Sequence, residues 1–202
     1  MQDEKELLSR LKAGDRGAFA EMVEQYSSRI FSLALRMMED SAEAEEILQE
    51  TFLQAAKHIG SFRGQSSLGT WLYRIGTNLS LMRLRRKRPA TISLDSSAEE
   101  FIAPLLPAAD WSTRPESELL NREARAEMRR AILALPDGLR IVFVLRDIEG
   151  LSTAETADVL ELSIPAVKSR LLRARLALRN DLSRYFGERA TTQSRVDNGA
   201  LA

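Results

Sequence analysis

Residues 151–179 read LSTAETADVLELSIPAVKSRLLRARLALR, and the interpretation of this stretch decides the fold. Ser152, followed three residues later by Glu155, is a capping box: a hydroxyl and a carboxylate satisfy each other's backbone amides at a helix start. The helix begun there runs to Leu160, and Glu161-Leu162-Ser163 forms a turn. Ser163 caps a further helix that carries Pro165 in its first turn, where a missing N–H costs nothing, and that runs to about Leu182. Two helices joined by so short a turn, the second rich in Lys and Arg, describe a helix-turn-helix. On the second helix Ile164, Val167, Leu171 and Ala174 are expected to face inward. Pro165, Ala166, Ser169, Arg170 and Arg173 are expected to face out, with Lys168 and Leu172 at the borders. From Ser163 to Arg179 there are five basic residues and no acidic one. A helix of this kind fits the major groove, where Arg bonds guanine bidentately and Ser bonds several base edges.

Upstream, Leu139–Ile148 (LRIVFVLRDI) reads as a buried helix, although Ile141, Val142, Phe143 and Val144 have the local propensity of a strand. Pro136-Asp137-Gly138 breaks the chain before it, and a helix from Pro115 to about Leu135 stacks Leu120, Ala124, Met128, Ala131 and Leu135 on one face. Residues 90–118 differ in character, with six acidic residues against one basic. Four of the six prolines of the chain fall between 89 and 115, and proline removes backbone donors and disfavours helix before it. This segment is a flexible linker whose apolar residues, Phe101, Ile102, Leu105, Leu106 and Trp111, suit burial against one of the domains or, the expectation preferred here, against a partner.

A second stretch, Gly60–Pro89, reads GSFRGQSSLGTWLYRIGTNLSLMRLRRKRP. Between Ser61 and Pro89 it holds seven basic residues and no acidic one, a surface for a polyanion rather than a mixed solvated face. Aromatic residues (Phe62, Trp71, Tyr73) and a polar loop, Gly64–Thr70, accompany the charge. Positive charge, stacking groups and hydrogen-bonding side chains are what binding unpaired bases requires. Trp71, Arg74 and Asn78 lie at helical spacing and are expected on one face. A core role for Trp71 and Tyr73 beside a solvated basic tail fits the same residues.

Before it, Phe19, Met22, Val23, Tyr26, Ile30, Leu33, Ala34 and Met37 form one amphipathic stripe to about Glu39. Asp40 with Glu43 is a cap-and-return start for the next helix, which buries Ile47, Leu48, Phe52 and Ala55 and shows Glu43, Glu46, Gln49 and Glu50 outside. That acidic face suits either solvation or docking on a protein. Helical periodicity dominates throughout, so the chain is all-α: two small helical domains, 1–89 and 118–185, joined by the flexible linker 90–117, the second a helix-turn-helix domain. Each domain has its own apolar stripes and is expected to fold independently. The tail 186–202 carries no periodic signal and is expected to be disordered. The chain has no Cys and one His, His58, which excludes a disulfide framework and a Cys/His metal site. The N-terminus lacks the pattern of a signal peptide and no apolar run reaches the ~20 residues of a membrane span. No Gly-rich phosphate loop, nucleophile–base pair or metal cluster is present, so no enzymatic activity, cofactor, metal or small-molecule substrate is expected.

The strings EEILQETFLQA, SFRGQSSLGTWLYRIGTN, LPDGLRIVFVLRDIEGLSTAETADVL and IPAVKSRLLRARLALR resemble, in that order, the extracytoplasmic-function sigma factors of bacterial RNA polymerase. The resemblance covers most of residues 16–182. It implies a cytoplasmic promoter-specificity subunit whose partners are core RNA polymerase, promoter DNA (both duplex and melted) and an anti-sigma factor. Residues 1–89 would then correspond to sigma region 2 and 118–185 to region 4. By the resemblance Glu46, Gln49 and Glu50, with Phe52 as core support, fall where the family docks on polymerase. Arg63, Ser66, Ser67, Trp71, Arg74, Asn78, Arg85 and Arg86 fall where it captures and holds the melted minus-ten strand. Pro165, Ala166, Lys168, Ser169, Arg170 and Arg173 fall where it reads the duplex minus-thirty-five element. Glu161 stands where the family usually has Gly in the turn, so a slightly reshaped turn is expected; Ala166 stands where Thr is frequent. Two other readings of the same residues remain: a self-sufficient helix-turn-helix regulator, and a helical adaptor whose basic patches meet acidic proteins.

Overall fold

The computed structural model describes the backbone of residues 2–87 and 118–199, with side chains over 3–87, 123–183 and 185. Every described element is helical: α1 Gln2–Lys12, α2 Arg16–Met38, α3 Ser41–His58, α4 Leu68–Lys87, α5 Glu118–Ala134, α6 Asp137–Phe143, α7 Thr153–Leu160 and α8 Ile164–Gly199. The linker expected at 90–117, with its five apolar residues, lies outside the described residues.

Local chemistry starts and stops these helices. Asp15 caps α2 by accepting from the Gly17 amide at 2.7 Å, and Arg10 Nε donates to its other oxygen at 2.8 Å. Arg10, then the Gly17 and Ala18 amides, hold the Asp15 carboxyl below the ordinary carboxylate range. Asp40 caps α3 through the Glu43 amide at 3.1 Å. The expected return arm is replaced: the Glu43 carboxylate pairs with Lys87 Nζ at 2.5 Å, tying the start of α3 to the end of α4.

The first domain packs α2, α3 and α4 on one another, with Met22, Ile30, Leu33, Met37, Ile47, Leu68 and Leu72 wholly enclosed. Two glycines let α4 close on its neighbours: a Cβ at Gly69 would stand 3.0 Å from Tyr26 Cε1, and one at Gly76 would stand 3.4 Å from both Ile30 Cγ2 and Thr51 Oγ1. In the second domain the run Ile141–Val144 is helical, not a strand. Ile141, Val142, Val144 and Leu145 are all fully buried, and tertiary packing of this apolar run on its neighbours overrides its local strand propensity. The helix widens into a π-helical turn over Val144–Ile148. Arg140, only 2% exposed, pairs with Asp137 at the start of α6.

The two domains pack on one another, which nothing in the sequence specified. One continuous apolar cluster runs through both, with α7 on α4, and α2 against α5, α6 and the π turn. The second difference concerns α8, which continues to Gly199 rather than ending near Leu182. Residues 186–199 are therefore helical here, where a disordered tail was expected. They contain no proline, and Gly187 is the single glycine before Gly199, so nothing in the backbone forces a stop. The test of this packing is a pair of truncations. Leu72→Ala, at 0% exposure, should cost about 2–5 kcal/mol in urea unfolding. Leu53→Ala, at 55% exposure, should stay within ~0.5 kcal/mol of wild type. Equal losses would contradict the assignment of Leu72 to the core.

Candidate nucleic-acid and protein interfaces

On α3, Glu46 and Gln49 are exposed and Glu50 is half-buried, where it accepts from Gln54 Nε2 at 2.6 Å. Leu53 follows on the same face and is 55% exposed, an apolar spot beside the acidic group that the periodicity argument had not singled out. Phe52 supports the helix from behind, edge-on to Phe19 with ring centroids 6.5 Å apart. The acidic face is not free of its neighbours: Arg83 of α4 donates to Glu46 Oε2 at 2.6 Å.

The loop before α4 turns at Gly64, whose φ of +70° suits a residue without Cβ. Ser67 is used structurally. Its hydroxyl accepts from the Thr70 amide at 3.0 Å and lies 2.8 Å from Thr70 Oγ1, so it caps α4. Glu4 of α1 accepts from the Leu68 amide at 2.6 Å, which satisfies a second orphan donor of the same helix start. Arg63 is exposed and Ser66 half-buried. Trp71 stacks on Phe62 with centroids 4.9 Å apart and planes 29° apart. Trp71 and Asn78 then share a cleft of about 250 Å3 with Gln54, His58 and Met82. Arg85 and Arg86 are exposed at the end of α4.

Arg74 is the departure from the expected single face. Its guanidinium turns onto α7, donating to Asp158 Oδ1 at 2.5 Å and to the Asp158 carbonyl at 2.8 Å. One residue earlier, the Tyr73 hydroxyl donates to Glu149 Oε2 at 2.8 Å, and Arg36 lies 3.5 Å from the other oxygen. Burial, then the Glu149 carboxylate, push the Tyr73 hydroxyl well up, so it remains a donor. Thr70 Oγ1 reaches toward Glu155 at 3.4 Å. Hydrogen bonds from Ser152, side chain and amide, hold the Glu155 carboxyl low, and the capping box is complete.

The helix-turn-helix is present as α7 and α8, with two corrections. Ile164 does not face inward; it is 47% exposed. It is the first residue of α8, and a helical side chain leans toward the N-terminus, which carries this one past the edge of α7. Pro165 and Lys168 are exposed, whereas Ala166, Ser169, Arg170 and Arg173 are half-buried rather than fully outward. The turn is not reshaped either: Glu161 takes the left-handed conformation, φ 54° and ψ 41°. Arg175 is engaged elsewhere, with a two-pronged pair to Asp147 at 2.7 and 2.8 Å that pins α8 to the π turn. Among the described residues no group of three or more His, Cys, Asp or Glu side chains could hold a metal, and no helix is long and apolar enough to cross a membrane.

Comparison with known proteins matches Sigma-70 region 2 to residues 22–90 and Sigma-70 region 4 to residues 125–178. The chain is 36% identical over 179 residues to the ECF RNA polymerase sigma factor SigW of Bacillus subtilis, covering 88% of this chain and 96% of that one. It is 35% identical over 177 residues to the ECF RNA polymerase sigma-E factor of Escherichia coli, covering 86% and 91%. Among solved structures it is similar to CnrH in complex with the cytosolic domain of CnrY, with a TM-score of 0.67 and 25% identity, covering 90% of this chain and 97% of that one. The fold is also that of the sigma factor RpoE of Bartonella quintana, solved with the anti-sigma factor NepR, with a TM-score of 0.59 and 21% identity, covering 82% and 96%.

The left-handed Glu161 gives a direct test of the turn. A non-glycine residue there carries ~1 kcal/mol of strain, so Glu161→Gly should raise stability by about 0.5–1 kcal/mol in chemical unfolding. A loss of stability would contradict a strained turn.

Proposed function

The chain belongs to the extracytoplasmic-function sigma factors of bacterial RNA polymerase, and on that premise we propose how its residues divide the work. It directs core polymerase to specific promoters and initiates transcription; core polymerase and promoter DNA are its partners. The domains act as region 2 over 1–89 and region 4 over 118–185, with 90–117 as the connecting segment.

Glu46, Gln49 and Glu50, extended by Leu53, dock on polymerase. The pairs Glu46–Arg83 and Glu43–Lys87 link this face to DNA binding. Such solvent-facing pairs contribute roughly 0–1 kcal/mol, so a basic polymerase surface displaces Arg83 and Lys87 at little cost and frees them for phosphate. Trp71 and Asn78 hold an unpaired base of the minus-ten element, with Ser66 and Ser67 in the loop beside them and Arg63, Arg74, Arg85 and Arg86 on the strand's phosphates. Region 4 lays the start of α8 into the major groove of the minus-thirty-five element. There Pro165, Ala166, Ser169, Arg170 and Arg173 meet base edges and Lys168 meets phosphate.

The observation that carries this account is the position of Trp71 and Asn78 on the same helix as the basic end Arg83–Lys87. Flipping a base costs a few kcal/mol and one stacking pocket returns ~1–3 kcal/mol, so neither domain suffices alone. Joining two weak sites in one chain supplies the rest through effective concentration. Arg74 reaches a phosphate only after leaving Asp158, so promoter engagement separates α4 from α7. The protein performs no chemistry of its own and works in the cytoplasm. An anti-sigma factor is a further partner in this reading, by analogy with RpoE, which was solved with the anti-sigma factor NepR.

Footprinting tests the account. With core polymerase the chain should protect two promoter elements; without it, no specific footprint should appear. Glu50→Lys should abolish the footprint by weakening core association while leaving circular dichroism unchanged. Specific protection without core polymerase would identify a self-sufficient regulator instead.

A further inference from the structure

We propose that Arg29 and Arg36 of α2, with the Tyr73 hydroxyl of α4, form a second phosphate-binding surface, which carboxylates of the other domain cover in the free chain and promoter DNA takes over. The proposal rests on the assignment of α4 to promoter DNA and adds a second helix to the surface that holds the DNA backbone.

The cover is chemically uniform. Arg36 stands 3.5 Å from one oxygen of Glu149, and Tyr73 donates to the other at 2.8 Å. Arg74 pairs with Asp158 at 2.5 Å, and Thr70 Oγ1 lies 3.4 Å from Glu155. The segment that supplies these groups, Asp147–Glu161, holds five acidic residues and no basic one. To a guanidinium or a hydroxyl, a carboxylate oxygen and a phosphate oxygen offer the same thing, a negative charge on a strong acceptor.

The covered surface has the opposite bias. Along α2, Gln25–Met38 holds Arg29, Arg36 and three serines, with no acidic residue. Arg29 and Arg36 are seven residues apart, two helical turns, and so share a face about 10 Å long. That length matches the axial rise of about three nucleotides of one strand. Burial, then Glu149, push the Tyr73 hydroxyl up, and Arg29 and Arg36 both oppose that shift, so both cations act on the same hydroxyl. Arg29 is exposed and has no ion pair among the described residues. Arg36 is 37% exposed, and its pair with Glu149 is looser than that of Arg74 with Asp158, which makes it the easier to exchange. Tyr73 adjoins Arg74 on the helix that ends in Arg85, Arg86 and Lys87. This continuity with the basic helix favours the DNA backbone over an acidic protein as the occupant.

The test uses holoenzyme reconstituted from the full chain and bacterial core polymerase, with promoter affinity measured across salt concentrations. Arg29→Gln and Arg36→Gln should each lower the slope of log K against log[salt] by about 0.7–0.9, and weaken binding roughly fivefold near 0.15 M salt. The loss should be equal on promoters that differ at a single base. Arg36→Lys, which keeps the charge, should retain the wild-type slope. In the free chain, Glu149→Gln should raise affinity for nonspecific duplex DNA at low salt, and Arg36→Gln added to it should cancel the gain. An unchanged slope in both arginine variants would overturn the proposal, as would the absence of any gain from Glu149→Gln. Weaker association with core polymerase at an unchanged slope would overturn it too, by marking the face as a protein contact. Arg86→Gln separates this failure from that of the underlying reading. If it lowers the slope while the α2 variants do not, only the α2 surface is lost; if it also leaves the slope unchanged, the assignment of α4 to DNA falls with it.

Discussion

Glu149 lies where the two domains meet, its side chain 7% exposed, with the Tyr73 hydroxyl at 2.8 Å on one oxygen and Arg36 at 3.5 Å from the other. A carboxylate removed from water needs partners, and both of these come from the other domain. The arrangement of the whole molecule follows from that requirement. Tyr73 ties α4 to the end of the π turn, Arg36 brings the end of α2, and the apolar clusters of the two domains merge around them. Arg74 and Asp158 add a second pair at the edge, exposed by 34% and 48%. At that exposure the pair is worth roughly 0–1 kcal/mol, so it sets orientation more than it holds the seam shut.

The magnitudes make the seam reversible. A buried ion pair offsets most of its own desolvation cost, and Glu149 regains hydration when exposed. A partner that gains contacts with each domain separately can therefore open it. In the proposed function polymerase is such a partner, because α3 of the first domain and the start of α8 of the second lie on different elements from the seam residues Tyr73, Glu149 and Arg36. The exposed pairs between α3 and α4 work in the same direction, since Glu46 and Glu43 hold Arg83 and Lys87 until other charges replace them. In the proposed function, promoter binding is thereby coupled to core binding through charges that exchange partners.

Much of this architecture is legible in the residues. The capping box at Ser152 and Glu155, the cap at Asp40, the stripe from Met22 to Met37 and the short turn before Ser163 are local signals, and local signals suffice to place helices. What was not legible depends on contacts distant in sequence. Arg74 was expected beside Trp71 and Asn78; the carboxylate that draws it away is 84 residues downstream. The cap that the Ser67 hydroxyl supplies to α4 was likewise not among the readings of its residues. Ile164 fits an inward stripe by spacing, but the first turn of a helix that begins beyond its neighbour has nothing to pack against. Glu161 keeps the left-handed turn despite its side chain, because the Leu162 amide still reaches the Ala157 carbonyl at 3.0 Å. His58, with no partner nearby in sequence, acquires a context only when α3 and α4 pack.

The central claim, that the free chain is closed across Glu149 and opens on polymerase, is tested most directly by an inter-domain distance. The chain has no Cys, so dyes placed at Lys12→Cys and Arg179→Cys, both exposed and outside the interfaces, report it by resonance energy transfer. The free protein should give one narrow, high-efficiency population, and saturating core polymerase should convert it to a low-efficiency one. The same efficiency in both states, or a broad low-efficiency distribution in the free chain, would contradict the account.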